Sequence, residues 1–296
     1  MPPSMHHALG AWAYRLGWSV VRHVPPRLVE PTANRIADRV WARRGRAVRQ
    51  LEANLARIEP MPDAALRELS KRAMRSYLRY WTEVFRLPRW TAAEIRDAVI
   101  PHHTDRVKDA LRSGRGVVSP LPHIGNWDLA GAWAVGDGMP LTTVAERLRP
   151  DSLFDDFVRY RQGLGMEVLP LTGGEPPRPV LEQRLRDGRF VCLLADRDMS
   201  RHALSAPLLG ESARLPVGPA LLAQRSGALL LPVTTAYEGR RMHLRVHEPI
   251  DVGPDDGAIE KATVAVADVF TDAIREDPAD WHMLQRVFES DLGPAR

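Results

Sequence analysis

The chain has a single cysteine, Cys192, among 296 residues, so no disulfide can form within it. That suits a reducing compartment, and a thiol inside the apolar run FVCLLA fits core packing. Lysine is almost missing too: Lys71, Lys108 and Lys261 are the three present, and arginine makes up the rest of the 41 basic residues. Arginine favours bidentate contact with phosphate and carboxylate, although a GC-rich coding sequence produces the same bias. No stretch reaches the roughly 18 uninterrupted apolar residues of a membrane span. The first residues also lack the charged start and apolar block of a secretory leader. The expectation is a chain kept in the cytoplasm, touching a membrane only peripherally. There is no G-x-S-x-G elbow and no G-x-x-x-x-G-K-[ST] loop. His6/His7 and His102/His103 are adjacent pairs, not the i, i+4 pair of a helical zinc site. Asp196 with Asp198 is a weak metal signal, and Gly163 with Gly165 lacks the rest of a dinucleotide fingerprint. No metal and no redox cofactor is expected.

What is present suffices for a large core: 44% of the residues are hydrophobic. The formal net charge of +4 makes an anionic partner plausible. Residues 6–22, HHALGAWAYRLGWSVVR, read as an amphipathic helix ended by Pro25 and Pro26. A second helical stretch covers about 27–43. Within the first fifty residues Arg15, Arg22, Arg27, Arg35, Arg39, Arg43, Arg44, Arg46 and Arg49 are opposed by Glu30 and Asp38 alone. Basic amphipathic helices with tryptophans suit the headgroup layer of an anionic bilayer. The competing reading is that both helices cover the core with a solvated face. Residues 62–86 read as one long helix whose aromatics, Tyr77, Tyr80 and Trp81, belong to the core. Its arginines fit a solvated face, and no nucleic-acid motif accompanies them.

From residue 101 helices and apolar strands alternate. Strands are expected at 116–121, 141–145, 166–171, 190–195, 228–236 and 241–247. Helices are expected at 104–113, 151–163, 177–187 and 217–226, with a last helical region from about 256. This pattern argues an α/β fold, a mostly parallel central sheet with helices on both faces and the amphipathic N-terminal helices packed on it. The whole chain, 1–296, reads as one domain. Residues 1–50 form the basic membrane-associating part and about 101–290 the catalytic core.

Chemistry concentrates at VVSPLPHIGNWDLAGAWA, residues 117–134. His123 stands at a strand end, Asp128 lies in the first turn of a helix, and Gly125 between them permits a tight turn. If the chain folds back there, the Asp128 carboxylate can accept the imidazole N–H and leave the other ring nitrogen as a base. That is a triad without its serine, so the substrate's own hydroxyl would have to attack. The bland alternative is a strand-end histidine capped by an acid for stability.

The context PHIGNWD resembles the lysophospholipid acyltransferase superfamily, and within it the lipid A lauroyl/myristoyl branch that includes the actinobacterial phosphatidylinositol mannoside acyltransferases. Further matching segments run from Asn54-Leu55 to DPADWHMLQRVF, which is similar to a closing helix of that branch. The resemblance implies catalysis by His123 and Asp128. It also implies a substrate-binding set of Glu146 (in AERLRP), Arg161 (in YRQGLG), Asp196 and Arg197 (in LLADRD) and Asn126. Asp196 would lie close to the histidine, at a position where the actinobacterial pattern has glutamate. Arg161 could instead form a helix-face salt bridge with Asp155 or Asp156. In the segment LGESARLPVGPALLA, 209–223, a glycine-flanked loop with Arg214 and Pro216 would lead into an apolar helix, a region bordering the acyl groove. The implied reaction is O-acylation, from long-chain acyl-CoA, of a mannose hydroxyl on a glycolipid acceptor. It would take place on the anionic inner leaflet of the plasma membrane, without nucleic acid. An acyl carrier protein donor, or another glycolipid or lysophospholipid acceptor, stays open, because net charge fits acyl-CoA and an acidic carrier protein alike.

Overall fold

Strands of this chain sort into three sheets in a computed structural model that describes residues 21, 23–146, 151–173, 175–200 and 202–292. The helix expected over 6–22, with Arg15 and Arg22, lies outside the described residues except for Val21, and Arg147 lies outside them too. In chain order the strands are β1 (Val99–His102), β2 (Val117–Leu121), β3 (Leu141–Ala145), β4 (Glu167–Pro170), β5 (Phe190–Leu194), β6 (Leu204–Leu208), β7 (Glu211–Leu215), β8 (Leu229–Leu230), β9 (Val233–Glu238) and β10 (Arg241–Val246). The α-helices are α1 (Pro26–Ala42), α2 (Arg46–Leu55), α3 (Asp63–Arg86), α4 (Ala92–Asp97), α5 (Asp105–Arg112), α6 (Trp127–Gly136), α7 (Asp151–Gly163), α8 (Pro177–Arg186), α9 (Gly218–Ser226) and α10 (Ala258–Glu276).

The central sheet is parallel throughout, in the order β4-β3-β5-β2-β8. Helices cover both faces, so its inner strands are apolar on both sides and read as continuous hydrophobic runs. Val118, Val191 and Leu193 pack into one core cluster, while Val117, Leu121 and Phe190 pack into the other. The long α3 reaches both clusters, with Leu69, Ala73 and Met74 in the first and Tyr80 and Val84 in the second.

A single strand over 228–236 does not form. The Leu231 N–H still reaches the Val118 carbonyl at 3.0 Å, but Pro232 has no N–H to continue the ladder. The chain leaves the central sheet there and enters a second one, β1-β10-β9, in which β1 is parallel and β9 antiparallel to β10. Residues 209–215, expected as loop, contribute instead to an antiparallel hairpin of β6 and β7.

The C-terminal stretch also departs from expectation. DPADWHMLQRVF is not a helix: a short 3-10 turn, Pro278–Asp280, is followed by extended chain in which Trp281 bridges to Ile124 and Phe288 to Ala213. Its backbone groups are claimed by other segments. The His282 N–H donates to the His123 carbonyl at 2.8 Å. Asn54, fully buried in α2, donates through Nδ2 to the carbonyls of Met283 at 2.8 Å and Gln285 at 2.9 Å. Gln50 Nε2 in turn donates to Asn54 Oδ1 at 3.1 Å.

The described N-terminal helices, α1 and α2, pack on the core. Val48, Leu51 and Leu55 of α2 are buried, as are Ala33 and Ala37 of α1. Elsewhere on α1, Leu28, Ile36 and Val40 are exposed by 51%, 45% and 40%. No described helix is long and apolar enough to cross a membrane.

Asn54→Ala would strip the Met283 and Gln285 carbonyls, the first of them buried, of their donor. A loss of about 1–3 kcal/mol is expected for such unpaired groups, read as a lower urea midpoint. An unchanged midpoint would show that the C-terminal segment is held elsewhere.

Candidate active site

The central sheet sets the site by register. Leu121 of β2 stands opposite Leu194 of β5, and the Ala195 N–H reaches the Leu121 carbonyl at 2.9 Å. One step further, two residues past each strand end, His123 and Asp196 are therefore neighbours. Asp196 Oδ1 lies 2.6 Å from His123 Nδ1, and Oδ2 accepts the His123 backbone N–H at 2.9 Å. Oδ2 also accepts the Trp281 indole N–H at 3.0 Å. The carboxylate is fully buried. Burial alone would raise its pKa, but the His123 charge and the donors from His123 and Trp281 outweigh this and hold it below the usual carboxylate range. An ionised acceptor at Nδ1 keeps the proton on that nitrogen, so Nε2 carries the lone pair. The imidazole is 31% exposed.

The turn that follows is held from three sides. Gly125 has φ +61°, and its N–H donates to the Asp280 carbonyl at 3.0 Å. The Thr235 hydroxyl donates to the Ile124 carbonyl at 2.6 Å. Asn126 is the N-cap of α6: its Oδ1 accepts the Leu129 N–H at 2.9 Å. Its Nδ2 donates to Glu83 Oε2 at 2.8 Å, and the Tyr237 hydroxyl donates to the same oxygen at 2.8 Å. The expectation that Asn126 binds substrate is therefore corrected. It is fully buried with both ends of its amide engaged, and it holds the turn.

The expected His123–Asp128 hydrogen bond is also replaced. Asp128 sits in the first turn of α6, 1% exposed, where the helix dipole favours a carboxylate. Its oxygens face away from the strand end, toward α7 and α3. Arg161 Nε donates to Oδ1 at 2.7 Å and an Nη to Oδ2 at 3.3 Å, and the Tyr80 hydroxyl donates to Oδ2 at 2.9 Å. Burial disfavours the Arg161 cation, but Asp128's charge and hydrogen bonds reverse that and raise its pKa. Burial first, and Asp128 second, push the Tyr80 hydroxyl well up, so it remains a donor. The surface alternative for Arg161 does not form, and it is Arg159 that pairs with Asp156.

The remaining expected residues share this edge of the sheet. Glu146 follows β3 and is exposed. Arg197 is half-buried and donates from Nε to the Arg286 carbonyl at 3.1 Å. Trp127 connects the histidine to an apolar cavity: its ring meets the His123 ring edge-on at 5.2 Å. The cavity runs between α6 and the sheet, lined by Leu121, Trp127, Gly131, Trp133, Met139 and Met166 among others. The charged residues in its wall, Asp128 and Arg161, neutralise each other. Small residues on α6, Ala130, Gly131 and Ala134, form part of this wall, and the Met166 side chain packs close against Gly131. Trp281, Tyr80, Glu83 and Thr235 were not expected at the site. Each lies far from the PHIGNWD motif in sequence.

An imidazole tied at Nδ1 and open at Nε2 beside an apolar cavity can accept the proton of a hydroxyl, an arrangement that fits an acyltransferase. The chain belongs to the family described as bacterial lipid A biosynthesis acyltransferase, which matches residues 3–290. A phosphatidylinositol mannoside acyltransferase of Mycolicibacterium smegmatis is 43% identical over 285 residues, covering 96% of this chain and 92% of that protein. One from Mycobacterium tuberculosis is 46% identical over 291 residues, covering 96% and 90%.

Gly125→Ala tests the turn. A Cβ there would lie 2.5 Å from Thr235 Oγ1, and the left-handed backbone alone costs about 1–2 kcal/mol. Thermal unfolding is expected several degrees lower. A variant as stable as the parent would show that the loop relaxes freely.

Proposed function

We propose that this enzyme transfers a long-chain, palmitoyl-like acyl group from acyl-CoA to a mannose hydroxyl of phosphatidylinositol mannoside, at the cytoplasmic face of the cell membrane. The acceptor is supported by the two mycobacterial relatives, whose names state it and which align with 96% of the chain. The observation that carries the mechanism is the His123 imidazole, tied through Nδ1 to a buried carboxylate and open at Nε2.

His123 Nε2 takes the proton of the mannose hydroxyl as its oxygen attacks the thioester carbonyl. The tetrahedral intermediate collapses, the C–S bond breaks, and the CoA thiolate leaves and recovers the proton from the imidazolium. Asp196 holds the tautomer and stabilises the imidazolium. Asp128 fixes Arg161 and Tyr80 around the mouth of the cavity. The acyl chain lies in the cavity, where each buried methylene contributes about 0.8 kcal/mol. Cys192 is in the same wall. Burial pushes its thiol pKa up, so it stays neutral and does not compete for the acyl group. Glu146 and Arg197, exposed and half-buried on the edge where His123 lies, would meet the acceptor's hydroxyls and phosphate.

The membrane part of the proposal rests on α1. Its exposed Leu28, Ile36 and Val40 lie among Arg27, Arg35 and Arg39, which form no ion pair among the described residues. An acceptor with two fatty chains stays in its bilayer, so the enzyme must go to the surface. Each arginine near an anionic leaflet adds roughly 1 kcal/mol, and salt screens it.

Incubation with phosphatidylinositol mannoside and either palmitoyl-CoA or palmitoylated acyl carrier protein, followed by mass spectrometry of the lipids, tests the assignment. Acylated product is expected with the CoA donor. Product with the carrier protein alone would replace the donor, and no product from either would remove the acceptor. His123→Ala is expected to lower turnover by about 10²–10⁴-fold, and Asp196→Asn to be severe through the wrong tautomer. Wild-type turnover in a folded His123→Ala protein would end the mechanism.

For the surface, sedimentation with phosphatidylinositol-rich vesicles should weaken, but not vanish, as salt rises. Replacing Leu28, Ile36 and Val40 by serine is expected to reduce the residual high-salt binding. Replacing Arg27, Arg35 and Arg39 by glutamate should reduce the low-salt binding. Unchanged sedimentation of both variants would place the contact elsewhere.

A further inference from the structure

We infer that Trp281 is a positioning residue of the site: its indole N–H holds the Asp196 carboxylate on His123 and shares its charge, setting the pH at which the imidazole becomes a base. The inference rests on His123 being the base.

The indole is fully buried, and its N–H points at Asp196 Oδ2, 3.0 Å away. The backbone around it is fastened to the same strand-end turn that carries the base. Trp281 bridges to Ile124, the Gly125 N–H reaches the Asp280 carbonyl at 3.0 Å, and the His282 N–H reaches the His123 carbonyl at 2.8 Å. Residues 280–282 and 123–125 thus run as one short antiparallel ladder, with a register that leaves the indole no choice but Asp196. Packing alone would need the bulk of the ring and not its N–H.

A buried carboxylate spreads its charge over its donors, here the His123 backbone N–H, the His123 ring and the indole. Removing the indole N–H leaves more of the charge on the imidazole. The His123–Asp196 pair then binds a proton more tightly, and the base is lost at a higher pH. Neighbouring groups do not provide such a shift. His282 lies behind His123, and burial, followed by the charge of His123, depresses its pKa to about 3, so it stays neutral through the working range. Asp280 is occupied by the Ser76 hydroxyl at 2.6 Å and the Tyr237 N–H at 2.7 Å, and burial raises its pKa. Asp128 is paired with Arg161, Glu83 with Arg79, and Arg197 next to Asp196 faces the Arg286 carbonyl.

Trp281→Phe keeps an aromatic ring and deletes the donor. Two readouts decide: the pH profile of kcat/KM, and the protonation of the His123 ring followed by NMR in the ligand-free enzyme. The midpoint is expected to rise by about one pH unit in both. On the acid side activity then falls up to about tenfold, while above the new midpoint it returns to within about threefold of wild type. A midpoint that does not move, or a loss equal at every pH, overturns the inference. If the phenylalanine variant does not fold, site-specific benzothienylalanine at 281, in which sulfur replaces N–H in a ring of the same shape, carries the same expectation. A raised NMR midpoint without any acyl transfer upholds the role of Trp281 and removes the acyl-transfer reading instead.

Discussion

A negative charge buried without water has to be surrounded by donors, and Asp196 is that charge here. Its donors come from two places far apart in sequence: the end of β2, through the His123 backbone and ring, and the C-terminal stretch, through Trp281. Much of the surrounding structure keeps these two places together. The parallel register of β2 and β5 brings His123 opposite Asp196. Asn54 in α2 takes the carbonyls of Met283 and Gln285 and so keeps the C-terminal chain extended. Thr235 in the second sheet holds the Ile124 carbonyl from the other side. Through Asn54, α2 thereby supports the site without touching it.

A second buried ion pair lies one helical turn away and does something different. Asp128 and Arg161 are both withdrawn from water, at 1% and 14% exposure, and each neutralises the other within a wall that is otherwise apolar. Desolvation makes such pairs weak sources of stability, yet removing one partner is costly because it strands the other. The Tyr80 hydroxyl supplies a further donor and ties the pair to α3. Two carboxylates near one helix start thus have separate work. One is bonded to the imidazole, and the other, with Arg161, forms the charged part of the cavity wall.

Much of this was legible in the sequence, for definite reasons. The strand at 190–194 is apolar on both faces and flanked by helices, so its unbroken apolar run sufficed. The histidine was legible from its place at a strand end before a glycine. Its partner was not. A spacing of five along the chain suggested Asp128, whereas the bond that forms crosses between strands and depends on a register that no local pattern encodes. Asn126 misled for a related reason, since a polar side chain beside a catalytic motif looks available until the N-cap and Glu83 account for both ends of its amide. The β6–β7 hairpin was obscured by Pro207 and the Leu209-Gly210 turn. The C-terminal stretch is extended because its carbonyls are used by Asn54, a contact more than two hundred residues away in sequence.

The length of the acid at 196 follows from the same geometry. Its two oxygens are split between neighbours on one chain: Oδ1 meets the imidazole at 2.6 Å, and Oδ2 meets the backbone N–H of the same histidine at 2.9 Å. That bidentate grip needs a carboxylate close to its own strand, because the two strands are fixed about 4.8 Å apart by their ladder. A glutamate would carry its oxygens one methylene further. It would have to coil its side chain to keep both contacts, or release the backbone N–H to reach the ring. With aspartate, one buried group both orients the imidazole and pins the turn that presents it, so the alignment of the ring and local stability depend on the same three hydrogen bonds.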